Sequence, residues 1–188
     1  MPRALSHIIA FDDAPFAPGH RGDVLIVGTV YSGARLEGVL SGKVRRDGVN
    51  STATLVRLVK QSRHHTHLQL VMLQGIAFAG FNVIDLPELH KALGLPVMTV
   101  VRKRPDKSAI KHALLYKVRG GKRKWHLIER AGVLERVAGV YVQCVGLSTK
   151  QAHDVIERYA INGTLPEPLR VAHLIAGGVA LGESRHRA

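Results

Sequence analysis

An α/β fold with a mixed sheet flanked by helices is what this sequence predicts, on three observations. The N-terminal quarter holds three apolar runs of strand length, rich in β-branched residues and separated by Pro/Gly and Ser-Gly breaks. Beyond them helical periodicity alternates with short apolar runs, the pattern of βαβ units with parallel strands. The chain has 188 residues, 46% of them hydrophobic, which is enough for one domain with a sizeable core and too apolar for disorder.

The elements follow in order. Residues 6–13 form a short apolar run that ends in Asp12 and Asp13 and is stopped by Ala14-Pro15 and Pro18-Gly19, so both acids lie at a strand's carboxyl end. Side chains alternate along a strand, so only one of the two can face a given pocket. Residues 23–31 and 36–44, joined through Ser32-Gly33-Ala34-Arg35, make a hairpin and with the first strand an antiparallel meander. Asn50 or Ser51 caps a helix to about residue 62, with Leu55, Leu58 and Val59 on one face. A strand over 68–73 follows, then a helix opened by Asp85-Leu86-Pro87-Glu88, then a strand over 96–101. A helix runs from Pro105-Asp106 to about Tyr116, residues 117–124 read as a flexible basic loop, and residues 137–145 as a last strand. Ser148-Thr149-Lys150-Gln151 is a capping box for a helix to about Ile161. Leu165-Pro166-Glu167-Pro168 is an extended connector to a final apolar helix over 169–181, in which Gly177-Gly178 weakens the helix or admits close packing. No repeat or linker interrupts the chain, so a single domain is expected over 1–188.

Three antiparallel strands, then a helix, a strand, a helix, a strand and more helices is the element order of the ribonuclease H-like fold, with five or six strands expected. There the first and fourth strands lie side by side and parallel, and their carboxyl ends share the edge where open α/β sheets place ligands. Asp12 leaves the first strand on that edge and Gln74 leaves the fourth.

A net charge of +13, from 27 basic against 14 acidic residues, favours a polyanionic partner, with nucleic acid the leading class. The basic run Lys122-Arg123-Lys124 can reach such a partner, or can be a solvated hairpin tip. Cys144, the single cysteine, lies in an apolar run and reads as a small core residue, which fits a reducing, cytoplasmic setting. The N-terminus lacks the pattern of a signal peptide and no apolar run approaches membrane-spanning length, so neither export nor membrane insertion is expected.

Phosphodiester hydrolysis by divalent ions needs converging carboxylates, and magnesium prefers oxygen ligands. Asp12, Asp13, Asp47 and Asp85 are the acids that could converge. Spacing alone leaves Asp47 as a turn residue and Asp85 as a helix cap. His64, His65 and His67 have no further spaced ligand and read as a solvated loop. Gly75-Ile76-Ala77-Phe78-Ala79-Gly80 matches no phosphate loop and reads as a tight bend, with Phe78 and Phe81 as core residues that could otherwise stack on a displaced base.

Four segments carry a resemblance: residues 9–16 with Asp12-Asp13-Ala14-Pro15, residues 74–85 from Gln74-Gly75 to Asp85, residues 95–105 with Arg102-Lys103-Arg104-Pro105, and residues 165–176 from Leu165-Pro166-Glu167-Pro168, followed by the tail Gly182-Glu183-Ser184-Arg185. In this order and over nearly the whole chain they resemble the largely archaeal endonuclease dU family, a relative of endonuclease V. The resemblance implies a ribonuclease H-like, Mg²⁺- or Mn²⁺-dependent endonuclease acting on DNA with deaminated bases, uracil above all. It implies that Asp12 is the first-strand metal aspartate, Asp47 the nearest match to a second acid, and Arg102 the counterpart of a lysine. With these go Asp13, Gln74 and Asp85 as further metal ligands and Lys103, Arg104, Lys122, Arg123 and Lys124 as nucleic-acid contacts. Two departures stand out. Gln74 occupies the place of a fourth-strand aspartate and brings one amide oxygen without charge. Val145-Gly146-Leu147 lacks the histidine that endonuclease V places before the corresponding helix. The alternative is a basic nucleic-acid-binding protein on the same fold without turnover, and the sequence leaves the lesion, the metal and the oligomeric state open.

Overall fold

The computed structural model describes residues 5–185; the ends of the 1–188 domain expected above lie outside the described residues. Its elements are β1 (His7–Asp13), β2 (Asp23–Ser32), β3 (Arg35–Arg45), α1 (Ser51–Gln61), a 3₁₀ turn at His65–His67, β4 (Leu70–Gln74), β5 (Ala77–Phe78), β6 (Asn82–Val83), α2 (Leu86–Leu93) and β7 (Val97–Val101). Then come α3 (Lys107–Lys117), α4 (Gly121–Arg130), β8 (Glu135–Val137), β9 (Val140–Val145), α5 (Thr149–Tyr159) and α6 (Glu167–Leu181).

The main sheet runs β3-β2-β1-β4-β7-β9-β8, and β5 and β6 pair as a separate hairpin. β1 is central because it is apolar on both faces: Ile8, Ile9, Ala10 and Phe11 are all fully buried. It pairs antiparallel with β2 and parallel with β4, with Phe11 level with Leu73, and β4 pairs parallel with β7. The expected meander and the parallel β1/β4 neighbours are therefore present. Gly28 sits under the Phe11 ring, where a Cβ would lie 2.4 Å from a ring carbon, so any larger residue there would displace the central strand's aromatic.

Side-chain alternation sorts the core onto two faces. Ile9, Phe11, Val71 and Leu73 pack against Leu55 and Val59 of α1 and Leu86 and Leu89 of α2. Ile8, Ala10, Met72, Met98 and Val100 pack against Ala152 and Ile156 of α5 and Leu169 of α6. This layered mixed sheet is the ribonuclease H-like arrangement.

Four sequence expectations are corrected. The main sheet has seven strands, not five or six, because residues 135–145 fold as the β8–β9 hairpin, turned at Ala138 and Gly139 with φ of 45° and 88°. The short β5–β6 ribbon occupies what reads in sequence as a plain bend. The 117–124 stretch is not a flexible loop: Gly120 takes the left-handed conformation at φ 70° and α4 begins at Gly121. The residues α4 buries are Gly121, Lys124 and Ile128, so a lysine in the inward stripe hides the helical period. Finally α6 starts at Glu167, because Pro168 fits a helix's first turn and does not prolong the connector. Among the described residues no helix is long and apolar enough to cross a membrane.

Candidate active site

The site lies at the carboxyl ends of β1, β4 and β7, each bringing a different group. Asp12 ends the β1 row that faces α6, while Asp13 turns to the opposite face. Asp12 is 4% exposed, and its Oδ2 lies 2.8 Å from Nδ1 of His173 on α6. Its Oδ1 accepts from the Asp13 backbone N–H at 2.9 Å. Across the β1/β4 pair, one residue beyond the level of Phe11 and Leu73, stands Gln74. Its Oε1 is buried and has no hydrogen-bond partner among the described residues. Gln74 is level with Val100 of β7, so Arg102 leaves the third strand beside it, and the Arg102 charge is felt at His173.

Burial and charge shift these groups together. Burial pushes the Asp12 carboxyl above the ordinary aspartate range, and the His173 hydrogen bond pulls it partly back. The Asp13 carboxyl is pushed up to about 7 by burial and by the neighbouring Asp12 charge. The hydrogen bond to Asp12 raises the His173 imidazole above its usual value, against burial and the Arg102 charge. A single positive ion placed here would relieve both carboxylates at once.

Asp13 and Asp47 meet through one turn and not through a shared ion position. Asp13 Oδ2 accepts from the Ala79 N–H at 2.8 Å. Asp47, held at φ 52°, donates its own N–H to the Ala79 carbonyl at 2.9 Å and accepts from the Phe81 N–H through Oδ1 at 2.8 Å. Its other oxygen lies 3.3 Å from Arg46 Nε. Asp85 caps α2 by accepting from the Glu88 N–H at 3.2 Å, and its second oxygen lies 3.3 Å from an Arg130 nitrogen. Both acids are thus engaged in turn and cap roles. Among the described residues no three His, Cys, Asp or Glu side chains gather where they could hold a metal ion. Lys103 and Arg104 are exposed just beyond β7, and Lys122 and Arg123 are exposed on α4. Lys124 is corrected: it is 2% exposed and its ammonium donates to the Asp47 carbonyl, so it braces that turn and presents no charge to solvent.

His173 is the residue that sequence reasoning misses. Its signal is a histidine beside the inward stripe Leu169, Ala172 and Ala176, the one polar side chain of the helix beyond its first turn and the Glu167–Arg170 pair. Val145-Gly146-Leu147 before α5 brings no histidine; the histidine that reaches Asp12 comes from α6.

A divalent cation fits this donor set. Asp12 supplies a carboxylate and Gln74 a buried amide oxygen with no donor of its own among the described residues, while magnesium keeps several waters and needs only one or two protein carboxylates. Hard oxygen donors without sulfur suit Mg²⁺ or Mn²⁺.

The family model for endonuclease dU matches residues 4–180. The chain belongs to the endonuclease dU family. It is 56% identical to a UPF0215 protein of Deinococcus radiodurans over 187 residues, covering 98% of this chain and 95% of that one. A similar fold occurs in a protein of unknown function from Archaeoglobus fulgidus, with TM-score 0.85, 28% identity and coverage of 92% of this chain and 97% of that one. Ciona intestinalis endonuclease V, solved with DNA containing an inosine, gives TM-score 0.58 at 12% identity, covering 89% of this chain and 82% of that one. At that identity the likeness is one of fold.

Proposed function

We propose that this endonuclease dU protein hydrolyses a phosphodiester in DNA carrying deaminated bases, with uracil the first candidate, using Mg²⁺ or Mn²⁺ at the β1/β4 edge. One observation carries the reading: Asp12, bonded to His173, stands beside a buried and unpartnered Gln74 oxygen on the sheet edge where α/β folds bind ligands. Asp12 and Gln74 hold the ion, with Asp13 adding charge from the other face of β1. When bound, the ion supplies Lewis-acid stabilisation of the phosphate oxygens and a more acidic bound water.

The remaining steps belong to side chains. His173 keeps its Nδ1 proton on Asp12, which fixes the carboxylate's orientation and leaves Nε2 free to exchange a proton with substrate or water. Arg102 offsets phosphate charge at the end of β7 and the exposed Lys103 and Arg104 extend that field. The membership in an endonuclease family and the +13 charge support the same substrate class. The test is incubation with uracil-, inosine- and undamaged oligonucleotides, with and without each metal. Metal-dependent cleavage restricted to the damaged strands agrees with the proposal, and cleavage indifferent to the lesion removes the deaminated-base specificity.

A second reading has its own support. Gln74 is neutral where a carboxylate would strengthen metal binding, which favours a basic nucleic-acid-binding protein without turnover. Tight binding of all oligonucleotides with no cleavage under any metal selects it.

A further inference from the structure

The site above uses only Arg102, Lys103 and Arg104 from the most charged part of the molecule. Eleven of the 27 Lys and Arg residues, but only two of the 14 acids, lie between Arg102 and Arg130. All of the eleven but Lys124 are exposed. Most of this stretch is the α3–α4 hairpin, which has a small core of its own: Leu114 and Ile128 pack with Val83, flanked by Ile110 and Trp125. Through α4 this arm packs against β6 and α2.

The tip of the arm is fixed and one-signed. Gly120 is left-handed, and a Cβ on Gly121 would lie 1.7 Å from the Leu114 carbonyl oxygen, so only this glycine pair closes the helices so tightly. Around it project Lys117, Arg119, Lys122 and Arg123, none ion-paired among the described residues. The arm's two acids are spent elsewhere, Asp106 as the cap of α3 and Glu129 accepting from Trp125 Nε1 at 2.7 Å. Tyr116, 76% exposed, adds a bare aromatic face among these cations, its ring 4.8 Å from that of His112. Unpaired cations interleaved with an exposed aromatic suit a strand that offers phosphates and a base face together.

We propose that this tip is a second nucleic-acid contact, independent of sequence and lesion. Lys117, Arg119, Lys122 and Arg123 grip the phosphate backbone and Tyr116 stacks an unpaired base. The proposal rests on the nucleic-acid part of the reading above and assigns it to a surface away from Asp12.

The test is binding of undamaged duplex and single-stranded oligonucleotides in EDTA at several salt concentrations. Changing all four cations to Gln should flatten the duplex salt dependence by about 3 to 4 in log–log slope, at roughly 0.9 per phosphate contact. Each single Gln variant should take about 0.9 from the slope, which keeps the test open if the quadruple variant does not fold. Exchanging Lys for Arg and Arg for Lys at the four positions should restore the parent slope. Tyr116→Ala should weaken single-strand binding roughly five- to a hundredfold and leave duplex binding alone. A parent-like slope in the Gln variants overturns the grip, and equal loss on both DNAs in Tyr116→Ala overturns the stacking. Binding that depends on the tip without any cleavage leaves this assignment standing while the nuclease reading fails.

Discussion

His173 Nδ1 lies 2.8 Å from Asp12 Oδ2, tying the last helix to the end of the central strand at a carboxylate that is almost fully buried. Removing the partner leaves that oxygen without a donor, which costs about 1 to 3 kcal/mol for a buried polar group and more if it stays charged. His173→Ala should therefore lower the Tm in metal-free buffer and also lower the cleavage rate. Added Mn²⁺ should recover the Tm but not the rate. Thermal melts and single-turnover rates with and without Mn²⁺ check both.

The pH dependence of stability follows from the same groups. Asp13 holds its proton up to about pH 7 in the folded chain against an ordinary 3.8, so folding loses stability as pH rises through that window. The raised Asp12 carboxyl acts in the same direction. His173, raised by Asp12, contributes its full stabilisation below its unfolded value of 6.5 and loses it as pH climbs through the higher folded value. Metal-free protein should thus melt at a lower temperature at pH 8.5 than at pH 5.5. A divalent ion, which binds the ionised acids, should raise the Tm more at the higher pH. Melts across this range with EDTA or Mn²⁺ decide it, and a metal-free Tm that climbs with pH contradicts the assignment.

Gln74 separates the metal from the fold. An unpartnered buried amide oxygen is a cost, so Gln74→Met, of similar volume, should leave metal-free stability unchanged or raise it by about 1 kcal/mol. The metal-induced rise in Tm should shrink or vanish. Gln74→Asp should enlarge it, because a carboxylate adds charge where the amide brings a dipole. Calorimetric titration with Mn²⁺ ranks the three proteins, and equal affinities remove Gln74 from the site.

Lys124 should behave as a brace and not as a nucleic-acid contact. Its stem is buried and its ammonium bonds the Asp47 carbonyl, so Lys124→Met should cost about 1 to 3 kcal/mol of stability. The salt slope of nucleic-acid binding should not move. A reduced slope with unchanged stability would put Lys124 on the surface that meets the phosphates.

The parts of this architecture legible in the sequence are those with a local signal. An apolar run broken by Asp12 and Asp13 marks a strand exit by itself, and Ser148 with Gln151 forms the capping box that their spacing indicates. What stays hidden depends on long-range packing. Lys124 occupies an inward helical position that chain pattern assigns to an apolar residue, which turns α4 into an apparent loop. His173 is 161 residues from Asp12, and nothing along a single apolar helix says which strand end its one imidazole will meet. Asp47 and Asp85 show the converse: acids that spacing allows at a metal are held by turn and cap hydrogen bonds that spacing equally allows.

The proposed metal-dependent cleavage turns on Asp12, and the cleavage rate of a uracil-containing duplex against Mg²⁺ or Mn²⁺ concentration, for the parent and for Asp12→Asn, tests this. The substitution removes charge and little volume, so fold and DNA binding should survive while the rate falls at least about a hundredfold at every metal concentration. An Asp12→Asn protein that cleaves at the parent's rate, with the parent's metal dependence, contradicts the account.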